Sequence, residues 1–118
     1  MGDYRKLIVW QKGKDLCILI YRLTELLPQS ERFGLVSQMR RAVVSIPSNI
    51  AEGSRRRGEA EQRQFFCIAY GSTAELETQI EIAKSLFPEI SDQATEAEKL
   101  LDEVARMLNV LTIKSKNN

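Results

Sequence analysis

Residues 38–57 read Gln-Met-Arg-Arg-Ala-Val-Val-Ser-Ile-Pro-Ser-Asn-Ile-Ala-Glu-Gly-Ser-Arg-Arg-Arg, and this stretch decides the fold. At about 100° per residue, Leu35, Met39, Ala42, Ile46 and Ile50 share one side, which is the spacing of a buried helix stripe. Gln38, Arg41, Ser45, Asn49, Glu52 and Arg56 share another side and form a polar stripe. The segment is therefore a helix with two faces. Pro47 lies inside it, removes one backbone donor and leaves the Val43 carbonyl without its helical partner. A kink near 43–47 is expected there, with Ser45 or Ser48 serving the freed carbonyl.

Outward from this helix the same periodicity repeats. A first helix over about 9–27 ends before Pro28 and carries the stripe Leu16, Leu19, Ile20, Leu23, Leu26 and Leu27. The central helix runs over about 31–56, with Ser30 as the expected N-cap and Glu31 in its first turn. A third, about 59–87, presents Phe65, Ala69, Ser72, Leu76, Ile80, Ala83 and Phe87 and stops at Pro88. Gly71 weakens that helix by about 1 kcal/mol relative to alanine, which predicts close approach of another helix. The fourth, about 92–114, begins at Ser91 or Asp92 and buries Ala97, Leu100, Leu101, Val104, Leu108 and Leu111. Short loops between four such helices imply an all-α fold, an antiparallel up-down-up-down four-helix bundle occupying residues 1–118 as one domain.

Some apolar side chains exceed what one bundle hides. Trp10, Cys17 and Tyr21 lie beside the core stripe of the first helix, and Phe66 and Tyr70 stand off that of the third. These five are the candidate interface of a homo-oligomer.

Composition removes several functions. The chain has no histidine, so Ser-His-Asp and Cys-His catalysis and the usual zinc ligand sets are unavailable. Glu25, Glu75, Glu77 and Glu81 lack the Glu-x-x-His partners of di-iron bundles and read as solvated charges. Cys17 and Cys67 have no adjacent base and are expected as reduced thiols. No catalytic residue, metal site or cofactor is expected, and the chain reads as a non-enzyme. No apolar run approaches the roughly 20 residues of a membrane span. The N-terminal residues show no signal-peptide pattern of basic, apolar and small-residue regions, and Lys6 stands where a myristoylation signal needs Ser or Thr, so a cytoplasmic location is expected.

Net charge is +1, yet residues 1–58 hold 11 Lys/Arg against 5 Asp/Glu and residues 59–118 hold 6 against 11. The halves can pair within one fold, pair between copies, or leave the basic half for an anion. Arg55, Arg56 and Arg57 close the central helix, with Arg40, Arg41 and Arg63 expected nearby. They either complement the negative helix end or grip phosphate. The polar residues Gln38, Ser45, Asn49 and Glu52 are expected to form a semi-buried network lining a groove or passage.

The runs Leu7-Ile-Val-Trp-Gln11, Glu31-Arg-Phe-Gly-Leu35, Gln38-Met-Arg-Arg-Ala42, Ser45-Ile-Pro-Ser-Asn-Ile-Ala-Glu-Gly53 and Gly71-Ser-Thr-Ala-Glu-Leu76 resemble the four-helix bundle proteins of the 23S rRNA intervening-sequence family over roughly residues 5–115. The accessory protein of diversity-generating retroelements is related to that family. The resemblance implies a ring-like homopentamer and association with RNA or another nucleic acid. Two departures stand out: the retroelement relatives are strongly basic, and Gln62 occupies a position where the family commonly has an aromatic. Two functions follow as expectations. The first is RNA or ribonucleoprotein binding through the arginines; the second is a protein-interaction scaffold for a polymerase or another partner.

Overall fold

The computed structural model describes residues 3–116 and contains four α-helices, with no strand among those residues. They are α1 (Ile8–Glu25), α2 (Leu35–Ser54), α3 (Glu59–Leu86) and α4 (Ser91–Lys116). Short 3-10 turns at Tyr4–Lys6, Gln29–Glu31 and Pro88–Ile90 lead into α1, α2 and α4. The lead-in Tyr4–Lys6 is such a turn, fixed where the Asp3 carboxylate accepts from the Arg5 N–H at 3.0 Å, and Leu7 is extended before α1 begins.

One apolar core runs the length of the molecule, which measures 45 × 21 × 20 Å. Leu16, Ile20 and Leu23 of α1 meet Met39, Val43, Ile46 and Ile50 of α2. Leu76 and Ile80 of α3 and Leu101, Val104 and Leu108 of α4 complete it. Each set repeats at three or four residues, as an amphipathic helix requires. Neighbouring helices are tied by residues whose numbers run in opposite directions: Cys17 to Val43 and Thr24 to Arg40 between α1 and α2. Between α2 and α3, Gly53 lies against Phe66 while Ser45 meets Ser72.

Three local expectations are corrected. Helix α2 starts at Leu35, not near 31, and Ser30 caps nothing among the described hydrogen bonds. Gly34 adopts φ −106° and ψ −109°, which interrupts the helical path, and Glu31 Oε1 instead accepts from the Leu35 N–H at 3.2 Å. At the far end of α2, Phe66 replaces Phe65 in the core. Phe66 is 6 % exposed and Phe65 is only half-buried, because Gly53 lets the α3 backbone and the Phe66 ring approach. An ideal Cβ on Gly53 would stand 2.8 Å from Phe66 Cε1 and 3.0 Å from Phe65 Cβ. Finally, Gly71 faces open space: apart from its own helix backbone and chain neighbours, none of the described residues lies within 4 Å of its ideal Cβ, so the expected helix contact is not an internal one among them.

Helix α2 continues through Pro47. Neither Ser45 nor Ser48 serves the freed carbonyl. The Cys17 thiol of α1 donates to the Val43 oxygen at 3.4 Å. This is possible because Gly13, one turn earlier on α1, leaves room for the Pro47 ring, whose Cβ lies 3.5 Å from the position a Gly13 Cβ would take.

Candidate nucleic-acid interface

The six candidate arginines do not form one cluster. Arg40 and Arg55 are separated by 15 positions on or at the end of one helix, which is about 22 Å along its axis. Arg40 and Arg41 therefore belong to one region and Arg55, Arg56 and Arg57 to another, correcting the expected grouping.

Arg40 lies across α1. Its Nε donates to Thr24 Oγ1 at 2.9 Å, one terminal nitrogen donates to the Tyr21 carbonyl at 3.4 Å, and its guanidinium carbon sits 4.3 Å from the Tyr21 ring centroid. Thr24 Oγ1 in turn donates to the Ile20 carbonyl at 2.8 Å, so the arginine is anchored to a fixed hydroxyl. Stacking on the aromatic face keeps the guanidinium oriented while its remaining N–H groups stay available.

Beside this pair opens a groove of about 650 Å³ lined by Tyr21, Arg32, Phe33, Arg40, Arg41 and Val44, together with Val36 and two serines. No carboxylate among the described residues lines it. Phe33, at the turn before α2, is 89 % exposed, and the Arg32 guanidinium carbon lies 5.5 Å from its ring centroid. Helical spacing does not mark Phe33 or Arg32 as site residues, and both are absent from the expected set. The available signal is an aromatic flanked by Arg32 and Gly34 in a turn, where no helical stripe requires burial.

Arg41 also borders a second cleft of about 400 Å³ between α2 and α3, lined by Gln38, Ser45, Ser72, Glu75 and Gln79. Here part of the polar stripe forms a network. Asn49 Nδ2 donates to the Ser45 carbonyl at 2.8 Å and to Ser45 Oγ at 3.0 Å, and Ser72 Oγ donates to Ser45 Oγ at 2.9 Å. Gln38 is exposed, and Glu52 leaves the network to pair with Arg56 at 2.6 Å.

At the other end of α2, Arg55 and Arg57 are exposed. Arg55 and Arg5 both flank the Tyr4 ring, at 5.2 and 5.5 Å from its centroid. The cationic neighbour of this end is thus Arg5, not Arg40 or Arg41. Arg56 is occupied structurally: besides the Glu52 pair it lies 5.0 Å from the Phe65 centroid. Arg63 is half-buried beside Gln64, Cys67 and Ile68 in a shallow depression on α3.

Of the five candidate interface residues, Tyr21 and Tyr70 are exposed, at 41 % and 40 %. Phe66 is in the core and is withdrawn from that role. Cys17 faces α2, and burial pushes its thiol up to about 11, so it remains a protonated donor. Trp10 is half-buried, edge-on to Tyr4 at 5.3 Å. Among the described residues, no group of three or more Cys, Asp or Glu side chains is placed to hold a metal ion, and no helix is long and apolar enough to cross a membrane.

These features define a four-helix protein with a carboxylate-free basic–aromatic groove and a separate cationic end. Residues 5–110 match the family model described as 23S rRNA-intervening sequence protein, and the chain belongs to that family. A crystal structure of a protein of unknown function from the S23 ribosomal protein family of Bacteroides thetaiotaomicron shares the fold, with a TM-score of 0.79 and 19% identity over 89% of this chain and 98% of that one. None of the curated proteins matches the chain.

Proposed function

We propose that the protein is a non-enzymatic, cytoplasmic, homo-oligomeric up-down-up-down bundle that binds RNA, alone or within a ribonucleoprotein, through the groove of Arg32, Phe33, Arg40 and Arg41. The observation that carries this reading is Phe33, an exposed ring among three arginines with no carboxylate in the lining. An exposed aromatic offers a face to an unpaired base, and the arginines supply phosphate contacts; stacking of this kind contributes about 1–3 kcal/mol per base. The family description, which names an rRNA intervening sequence, agrees with an RNA setting. Oligomer formation is supported by Ile18 and Tyr21 on α1 and by Ile68, Tyr70 and Ile82 on α3, all large, apolar and exposed. The resemblance adds a ring-like pentamer to this reading.

The test is fluorescence anisotropy of labelled single-stranded and hairpin RNA across a salt series. Arg41→Ala is expected to reduce the log–log salt slope by about 1. Phe33→Ala is expected to weaken single-strand binding by about tenfold or more with an unchanged slope, the loss of one base stack. No saturable binding at low salt removes the RNA reading. Retention in both variants but loss in Arg55→Ala/Arg57→Ala moves the contact to the other end of α2 and removes the groove.

The scaffold reading, in which a polymerase or other protein docks without nucleic-acid contact, is favoured by Leu26 after α1 and Leu86 at the end of α3, exposed apolar residues outside the groove lining and outside the set used for assembly. Failure of RNA binding in an intact oligomer leaves that reading standing.

A further inference from the structure

The end of the bundle where α1, α3 and α4 converge contains a cleft of a different character. It encloses about 540 Å³ and is lined mainly by Leu7, Ile8, Phe66, Met107, Val110 and Leu111. Its polar edge comes from Ser54 and Gln62. Both polar side chains already have bonds: Ser54 Oγ donates to the Ala51 carbonyl at 2.9 Å and Gln62 Nε2 to the Arg56 carbonyl at 2.7 Å. The volume lies within the roughly 300–1,000 Å³ of small-molecule sites, and the lining is the apolar kind that takes a hydrocarbon.

The chain on either side of the cleft's edge is cationic. Arg5 and Lys6 immediately precede Leu7, and Arg55 immediately follows Ser54. Both guanidiniums lie against Tyr4, Arg5 at 5.5 Å and Arg55 at 5.2 Å from its ring centroid, and Arg5 Nε also faces the Asp3 carboxylate at 3.7 Å. An open apolar cleft whose flanking chain carries Arg5, Lys6 and Arg55 against the one carboxylate of Asp3 matches a molecule with an alkyl body and one anionic end. We propose that this cleft binds a single-chain anionic amphiphile, its hydrocarbon against Phe66, Met107 and Leu111 and its carboxylate at Arg5 and Arg55. The site is separate from the groove of Phe33, so it stands or falls independently of RNA binding.

Isothermal titration with dodecanoate below its micelle concentration tests the assignment. Saturation at one molecule per protomer is expected, with decanoate about tenfold weaker because two fewer methylenes leave water. Dodecyltrimethylammonium, which has the same tail and the opposite charge, is expected to bind at least tenfold more weakly than dodecanoate. Val110→Trp places bulk at the exposed mouth and is expected to abolish dodecanoate uptake while helix content is retained. Arg5→Glu/Arg55→Glu, which leaves the chamber intact, is expected to reverse the head-group preference. Uptake that ignores tail length, or that survives Val110→Trp, overturns the proposal. So does sedimentation with anionic phospholipid vesicles in the absence of monomer binding. A loss of oligomer mass in Val110→Trp without any dodecanoate binding by the wild type also overturns it, and assigns the face to a second copy.

Discussion

At the scale of single residues, Cys17 connects sequence, packing and titration. Pro47 deprives the Val43 carbonyl of a donor, and an unpaired buried carbonyl costs about 1–3 kcal/mol. The Cys17 thiol is within 3.4 Å of that oxygen and can donate only while protonated. Burial raises its pKa from the ordinary 9.0 to about 11. The sign follows: the unfolded thiol loses its proton first, so the contribution is whole below about pH 9 and declines as pH rises toward about 11. The stability advantage of wild type over Cys17→Ala, which removes the donor, is accordingly expected to shrink between those values in urea denaturation. An advantage that grows with pH would contradict the buried, protonated thiol. Brief iodoacetamide treatment at pH 8 should label exposed Cys67 before Cys17, because burial keeps the Cys17 thiol both covered and protonated. Intact-mass analysis after digestion reads the order directly.

At the scale of an element, α2 shows what is legible in the sequence and what is not. The stripe Met39, Ala42, Ile46 and Ile50 is buried as its spacing requires, because helical periodicity is a local property. The start of α2 is not legible in the same way. Ser30 has the chemistry of a cap, while the Gly34 turn and the reach of Glu31 depend on how the chain enters the bundle. Spacing points to serines of the same helix as partners for Val43, yet the donor comes from α1, a tertiary contact that no spacing encodes. Arginine proximity is hidden for a related reason: Arg40 and Arg55 are on one element but about four helical turns apart. A double-mutant cycle tests the α1–α2 account. Cys17→Ala is expected to cost about 1 kcal/mol less in a Pro47→Ala background, where the substituted residue supplies a backbone N–H to the Val43 carbonyl. Strict additivity in urea denaturation would disconnect the thiol from the proline.

At the scale of the molecule, the two charge halves remain largely unmated. Of the ion pairs among the described residues, only Lys12–Glu103, at 2.6 Å, joins residues 1–58 to residues 59–118. Lys84 spends its charge within the acidic half, on Glu98 at 3.1 Å and Glu81 at 3.2 Å. Close ion pairing among the described residues therefore joins the two halves at a single point. Gly71 gives the sharper test of whether further copies of the chain pack on it. Within one protomer its Cβ position is empty, so Gly71→Ala should gain about 1 kcal/mol of helix stability and nothing should resist it. If copies pack across α3 beside Tyr70, the added methyl meets the neighbouring helix and assembly weakens instead. Homo-oligomer formation predicts wild-type light scattering at a multiple of 13.5 kDa, and protomer mass with retained helicity for Tyr70→Glu. It further predicts that Gly71→Ala raises the protein concentration at which the assembly half-dissociates on dilution, while raising the melting temperature of the dissociated chain. A wild type of 13.5 kDa at every concentration, stabilised by Gly71→Ala, would mean that the exposed apolar face of α3 meets no second copy.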